Sequence, residues 1–154
     1  MVKKAVEKGK DIQKDLQILV PMYRGITGIN EINEQIQDVV NPIVDGIAEV
    51  KHMNRSFRVN DKVIQLVNRA DKNIMNGDIG QVISISYEKS KPNGLSIMYD
   101  IGIIEYTLDE LEDIALAYAV SVHKAQGSEF DIVIMPISTM HYVMLKRKLI
   151  YTAI

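Results

Sequence analysis

The chain has 154 residues, 47% of them hydrophobic and 25% charged, a balance typical of a globular protein with one domain or two small lobes. It contains no cysteine, which excludes disulfides and thiolate metal sites, and its apolar runs are too short to cross a bilayer. The charged N-terminus lacks the apolar stretch of a secretion signal, so the expected location is cytoplasmic. A net charge of -2 provides no bulk attraction to nucleic acid, so binding of that kind would depend on local groups.

The first stretch predicts the strand, loop and helix that open an α/β unit. Residues 16–20 form a short apolar run stopped by Pro21, which is typical of a buried parallel strand. Isoleucines and valines then recur at helical spacing between residues 29 and 40. Thr27 is a candidate N-cap, and Pro42 is expected to end the helix because the residue before a proline disfavours the helical conformation. The predicted polar face carries these residues: Asn30, Glu31, Asn33, Glu34 and Gln37.

The middle stretch, from Phe57 to Leu111, changes to the period of two that β-strands show. The residues from 80 to 87, GQVISISY, alternate between the two faces of a strand. Asn76-Gly77 and Pro92-Asn93-Gly94 are turn signals between such runs. Four or five short strands in about 55 residues predict a small SH3-like β-barrel.

The last stretch returns to α/β character. Residues 131–136, DIVIMP, predict a second buried strand, and residues 140–154 predict a helix with one apolar side. The predicted architecture is therefore α/β, with a parallel-sheet domain formed by residues 1–56 and 113–154. The small β-barrel, residues 57–112, interrupts this domain.

Chemically active side chains concentrate in the segment SVHKAQGSE, residues 121–129. A hydroxyl, an imidazole, a cation, an amide, a glycine and a carboxylate follow closely after a predicted strand. Ligands of open α/β sheets bind at the carboxyl ends of the strands, and glycine allows the backbone to approach a phosphate. On residue types alone, the favoured interpretation is a polar loop that has a solvated Lys124 and a core-facing His123.

Four segments, in order, resemble conserved motifs of the RecD-like superfamily 1 DNA helicases. The string AYAVSVHKAQGSEFDIVIMP, residues 117–136, resembles motif V of that family. Residues 16–33 resemble the motif IV region, residues 61–82 the entry into an inserted barrel, and residues 144–154 the start of motif VI. The resemblance implies an incomplete RecA-like motor domain, 2A, interrupted by an SH3-like domain, 2B.

The resemblance also implies which side chains meet single-stranded DNA. The residues expected to contact the DNA backbone are Ser121, His123 and Lys124. Asn76 is expected to shape a barrel loop near the DNA, and a simple Asn-Gly turn is the alternative. Lys89 and Lys91, near the tip of a predicted hairpin, are either solvated or in contact with DNA.

A second group of residues is implied to serve the nucleotide. Gln126 and Gly127 are expected to connect the DNA track to the nucleotide cleft, and Glu129 to reach the ATP ribose. Arg24 is expected to contact phosphate from across the cleft, and a surface ion pair is the alternative.

The resemblance implies a monomeric ATP-dependent DNA helicase of 5′-to-3′ polarity that uses ATP and Mg²⁺. The 154 residues contain no Gly-x-x-x-x-Gly-Lys-Ser/Thr phosphate loop, so an upstream motor domain of the same polypeptide is expected to supply it. In the family, motif VI continues directly into a Thr-Arg pair, whose arginine would follow residue 154. The chain by itself is therefore expected to bind no cofactor and to hydrolyse no ATP. The alternatives are a non-catalytic SH3-like module that binds nucleic acid or protein, and the helicase half of a conjugative relaxase.

Overall fold

The computed structural model describes residues 9, 11–12, 14–20, 28–44, 48–122, 124–125 and 130–135. They divide into two units. The first joins the described residues up to Val40 with those from Tyr118 onward, and the second is Asn41–Ala117. No helix among the described residues is long and apolar enough to span a membrane. The helix and strands are, in chain order, β1 (Leu16–Val20), α1 (Ile29–Val40), β2 (Glu49–His52), β3 (Arg55–Arg58), β4 (Lys62–Gln65), β5 (Ile79–Glu88), β6 (Lys91–Tyr99), β7 (Gly102–Thr107), β8 (Ile114–Leu116), β9 (Ala119–Ser121) and β10 (Ile132–Ile134).

A three-stranded parallel sheet, in the order β10-β1-β9, forms the base of the first unit. All five residues of β1 are buried, because this strand is paired on both sides. The predicted buried parallel strand at residues 16–20 is confirmed. The predicted strand at residues 131–136 is also confirmed as β10, but its expected burial is wrong. Val133 is 41% exposed, since β10 is the outer strand of the described sheet.

Helix α1 ends at Val40, directly before Asn41 and Pro42, as the proline signal predicts. Its buried stripe contains Ile29 and Ile36, which confirms the apolar face at these positions, but Val39, predicted on the same face, is 42% exposed. The predicted polar face is wrong at two positions, because Asn33 and Gln37 are each only 3% exposed. Thr27, the predicted N-cap, lies outside the described residues.

The second unit packs a two-stranded ribbon, β2-β3, with a five-stranded antiparallel sheet in the order β7-β6-β5-β4-β8. The ribbon contributes Val50 and Phe57 to the shared core. Within 48–122, all of which the structure describes, β7 and β8 are the two ends of the sheet and are not paired. The hydrogen-bonding pattern therefore gives an open sheet and a ribbon in place of the expected closed barrel. The sheet contributes Val63, Val82, Leu95, Ile97, Tyr99, Tyr106 and Ile114 to this core, and the segments between its strands contribute Ile74 and Leu111.

One of the two predicted turns is confirmed and the other is wrong. Asn76-Gly77 forms a turn before β5, with Gly77 at a φ of +105°. Pro92-Asn93-Gly94 lies within β6, and the β5–β6 hairpin turns instead at Lys89 and Ser90. Both turn residues have positive φ, 48° and 63°, as the tight two-residue turns of hairpins require.

Candidate phosphate-binding edge of the parallel sheet

Strands β1 and β9 end side by side. Val20 and Ser121 are register partners in the parallel pairing, and each is the last residue of its strand. Parallel strands run in one direction, so both chains leave the sheet at the same edge, which we call the carboxyl edge. Open α/β sheets bind their ligands at such an edge, just outside the strand ends.

The chain turns immediately after Ser121. The backbone N–H groups of Lys124 and Ala125 donate to the carbonyl oxygen of Ser121, at 2.9 and 3.2 Å. The Lys124 N–H also lies 3.4 Å from the Ser121 hydroxyl oxygen, which accepts from it. This turn holds a buried serine hydroxyl and a half-buried lysine three positions apart at the carboxyl edge. Hydroxyl and ammonium groups donate to phosphate oxygens, so the donor set fits a phosphate-bearing ligand, either a nucleic-acid backbone or a nucleotide.

Asn33 of α1 fixes the position of β9 just before this turn. Its Nδ2 donates to the Ala119 carbonyl oxygen at 2.9 Å, and its Oδ1 accepts from the Ala119 N–H at 2.8 Å. On the other side β9 pairs with β1, where Ala119 is the register partner of Ile18. Asn33 is not among the site residues that the sequence predicts. Helical spacing contained the signal, because Asn33 follows Ile29 by four positions and precedes Ile36 by three.

Asn76, the predicted residue of the second unit, is exposed on the turn before β5. Its backbone N–H donates to the side-chain oxygen of Asn68 at 2.7 Å, and the Gly77 N–H donates to the Gln65 carbonyl at 2.9 Å. These bonds account for the turn without a ligand, and the DNA role of Asn76 stays a prediction.

The remaining predicted site residues are outside the described part of the chain: Arg24, His123, Gln126, Gly127 and Glu129. The described residues include no group of three or more His, Asp or Glu side chains able to hold a metal ion. The described residues therefore contribute to the candidate site the ends of β1 and β9 and the turn at Ser121.

Two family models match the chain. Residues 32–99 match the SH3 domain of ATP-dependent RecD-like DNA helicases, and residues 116–154 match the UvrD-like helicase C-terminal domain. The chain is 34% identical over 139 residues to the ATP-dependent RecD2 DNA helicase of Deinococcus radiodurans, covering 90% of this chain and 18% of that protein. It is 26% identical over 151 residues to the RecBCD enzyme subunit RecD of Buchnera aphidicola, covering 92% of this chain and 23% of the relative.

Solved structures show the same fold at low sequence identity. The crystal structure of Bacteroides Pif1 bound to ssDNA matches with a TM-score of 0.56 and 18% identity, covering 90% of this chain and 37% of that one. The crystal structure of Candida albicans Pif1 helicase matches with a TM-score of 0.56 and 13% identity, covering 94% and 43%. The fold is thus that of a RecA-like helicase domain. Within that class the chain belongs to the RecD-like family, as the family models and the curated relatives show. The chain spans about a fifth of the length of these two relatives, 18% and 23%.

Proposed function

We propose that this chain is the C-terminal half of the motor of an ATP-dependent DNA helicase that translocates 5′ to 3′ on single-stranded DNA. The observation that supports the proposal is the pairing of Val20 with Ser121 at the carboxyl edge. The segment that carries Arg24 begins at Val20, and the SVHKAQGSE segment begins at Ser121. A nucleotide contacted by both segments and a DNA strand held by the second would therefore be close enough to influence each other.

Two sets of residues carry the proposed coupling. The DNA backbone is held by Ser121, His123 and Lys124. The nucleotide is contacted by Arg24, Gln126, Gly127 and Glu129. Of these, Gln126 and Gly127 connect the DNA-binding residues to the nucleotide. Asn76 shapes a loop of the inserted unit near the DNA. These few donors bind the strand through direct contacts, so binding does not require a basic surface. Because the contacts are to phosphates, the affinity depends on the salt concentration.

The rest of the active site belongs to an upstream motor domain of the same polypeptide. That domain supplies the phosphate loop and the ligands of Mg²⁺, and ATP bound there provides the free energy of movement. The carboxyl edge closes on that domain when nucleotide is bound and relaxes after hydrolysis. The grip of Ser121 and Lys124 on the strand then alternates with the grip of the upstream domain.

The test is ATP hydrolysis by the full-length protein that contains this chain, with and without single-stranded DNA. We expect strong stimulation by DNA in the wild type and its loss in Gln126→Ala, while nucleotide binding persists. Gln35→Ala, at an exposed position of α1, is the matched control and should keep the stimulation. A wild-type protein that hydrolyses ATP at the same rate with and without DNA would contradict the proposal and favour a non-catalytic binding module.

The polarity is tested separately by strand displacement. A protein that moves 5′ to 3′ unwinds a duplex with a 5′ single-stranded tail and leaves a duplex with only a 3′ tail intact. The opposite preference would overturn the polarity and leave the motor itself in place.

A further inference from the structure

The β5–β6 hairpin extends beyond the strands that flank it. Pairing of β5 with β4 begins at Gln81 and runs away from the hairpin turn, and pairing of β6 with β7 stops at Gly94. Residues 87–93 therefore form a two-stranded projection, roughly 10 Å long at about 3.3 Å per residue. The residues of this projection are exposed, apart from the half-buried Pro92.

The turn at the end of this projection carries residues that its backbone does not favour. Lys89 and Ser90 both adopt positive φ, where Asn-Gly is the preferred pair. A non-glycine residue in this region costs about 1 kcal/mol or more. Backbone strain of this kind is concentrated at functional positions, and here it keeps a lysine at the outermost point of the hairpin.

An aromatic side chain lies beside the turn. Tyr87 is the direct cross-strand partner of Pro92, so the two side chains share a face of the hairpin. The pairing register of β5 with β6 shifts between Ser86 and Tyr87, just beyond Ile85, which packs against the core. Tyr87 is 53% exposed, because the core ends before it. The ring therefore offers an open surface next to a proline ring.

We propose that the tip of the β5–β6 hairpin is a second contact site for single-stranded nucleic acid. The Tyr87 ring stacks on an unpaired base, while Lys89 and Lys91 bind the adjacent phosphates. An exposed aromatic ring combined with ammonium groups is the arrangement that sequence-independent single-strand binding uses. The inference deepens the proposed function and rests on it for the class of partner.

The test is binding of a fluorescent oligothymidylate by the full-length protein at several salt concentrations. The double substitution Lys89→Asn with Ser90→Gly introduces the preferred turn pair, so the variant should be at least as stable as the wild type. We expect weaker binding and a slope of log K against log salt reduced by about 0.7, the loss of one phosphate contact. Tyr87→Leu should bind about tenfold more weakly with an unchanged slope, since stacking involves no counterion release.

Lys51→Asn is the matched control. Lys51 belongs to the same unit, its side chain is 73% exposed, and its removal changes the net charge by the same amount. This variant should bind as the wild type does. Hairpin variants that bind with the wild-type affinity and salt slope would overturn the inference. Stimulation of wild-type ATP hydrolysis by DNA separates the two proposals, because its absence contradicts the proposed function whatever the hairpin variants do.

Discussion

The side-chain amide of Asn33 hydrogen-bonds both backbone groups of Ala119, through Nδ2 to the carbonyl oxygen at 2.9 Å and through Oδ1 from the N–H at 2.8 Å. The helix side chain thus occupies the position that a neighbouring strand would take beside β9. Ser121 follows Ala119 by two residues, so the same pair of bonds fixes where the carboxyl edge of β9 ends.

Asn33→Ala should destabilise the first unit by about 3 kcal/mol, because it leaves the N–H and the C=O of Ala119 buried without their partner. In the full-length protein it should also reduce DNA-stimulated ATP hydrolysis, since β9 no longer holds the turn at Ser121. Chemical denaturation followed by circular dichroism measures the first effect. Gln35→Ala, an exposed amide on the same helix, is the control. Equal denaturation midpoints for the two variants would refute the positioning role of Asn33.

Gly94→Ala should destabilise the second unit by about 3 kcal/mol or prevent its folding. A Cβ at this position would collide with the backbone carbonyl oxygen of Tyr106, and the Ser86 hydroxyl oxygen lies 3.0 Å away on another side. The collision is with backbone, so β6 and β7 would have to separate where Gly94 pairs with Thr107. The denaturant midpoint measures the loss. Ser96→Ala, two residues along the same strand, should change it little, and a Gly94→Ala midpoint within error of that control would disprove the steric argument.

Glu110 should make the stability of the second unit sensitive to acid. Burial by itself raises the pKa of this carboxyl, but hydrogen bonds from Lys72, the Thr107 N–H and Arg69 outweigh it and lower the pKa from 4.5 to about 2. The folded-state pKa is below the unfolded one, so the stabilisation is present above about pH 4.5 and is lost as the pH falls towards 2.

Glu110→Gln should therefore be less stable than the wild type near neutral pH, by about 1 kcal/mol because the partly exposed pair is screened by solvent. Its stability should fall less steeply than that of the wild type between pH 5 and pH 2. Thermal unfolding at a series of pH values measures both effects. Glu105→Gln, at an exposed position on β7, serves as the control. Parallel pH profiles for wild type and Glu110→Gln would rule out this role for the carboxylate.

Residues 1–154 alone should hydrolyse no ATP, because they contain no phosphate loop to hold the β- and γ-phosphates. A phosphate-release assay on the purified chain, with and without single-stranded DNA, measures this. Turnover that survives removal of contaminating ATPases would refute the division of labour between the two halves of the motor.

Several elements follow from signals that are local in the sequence. A short apolar run before a proline specified β1, and a proline after Asn41 specified the end of α1. Alternation at period two specified the strands of the hairpin region, and the motif SVHKAQGSE indicated the family. Each of these signals depends on a few residues that are close together in sequence. It is therefore present whatever the rest of the chain packs against.

Other features depend on contacts between segments that are distant in sequence. Asn33 is buried because the edge of β9 supplies two hydrogen-bonding groups. The spacing of residues in α1 carries no information about that strand. The hairpin turns at Lys89 and Ser90, and Gly94 lies instead within β6, where that strand approaches Tyr106 closely. Val20 and Ser121 are 101 positions apart in sequence, and only strand pairing makes them neighbours. Strand pairing over such distances follows from burial shared by distant segments, so periodicity within one segment does not encode it.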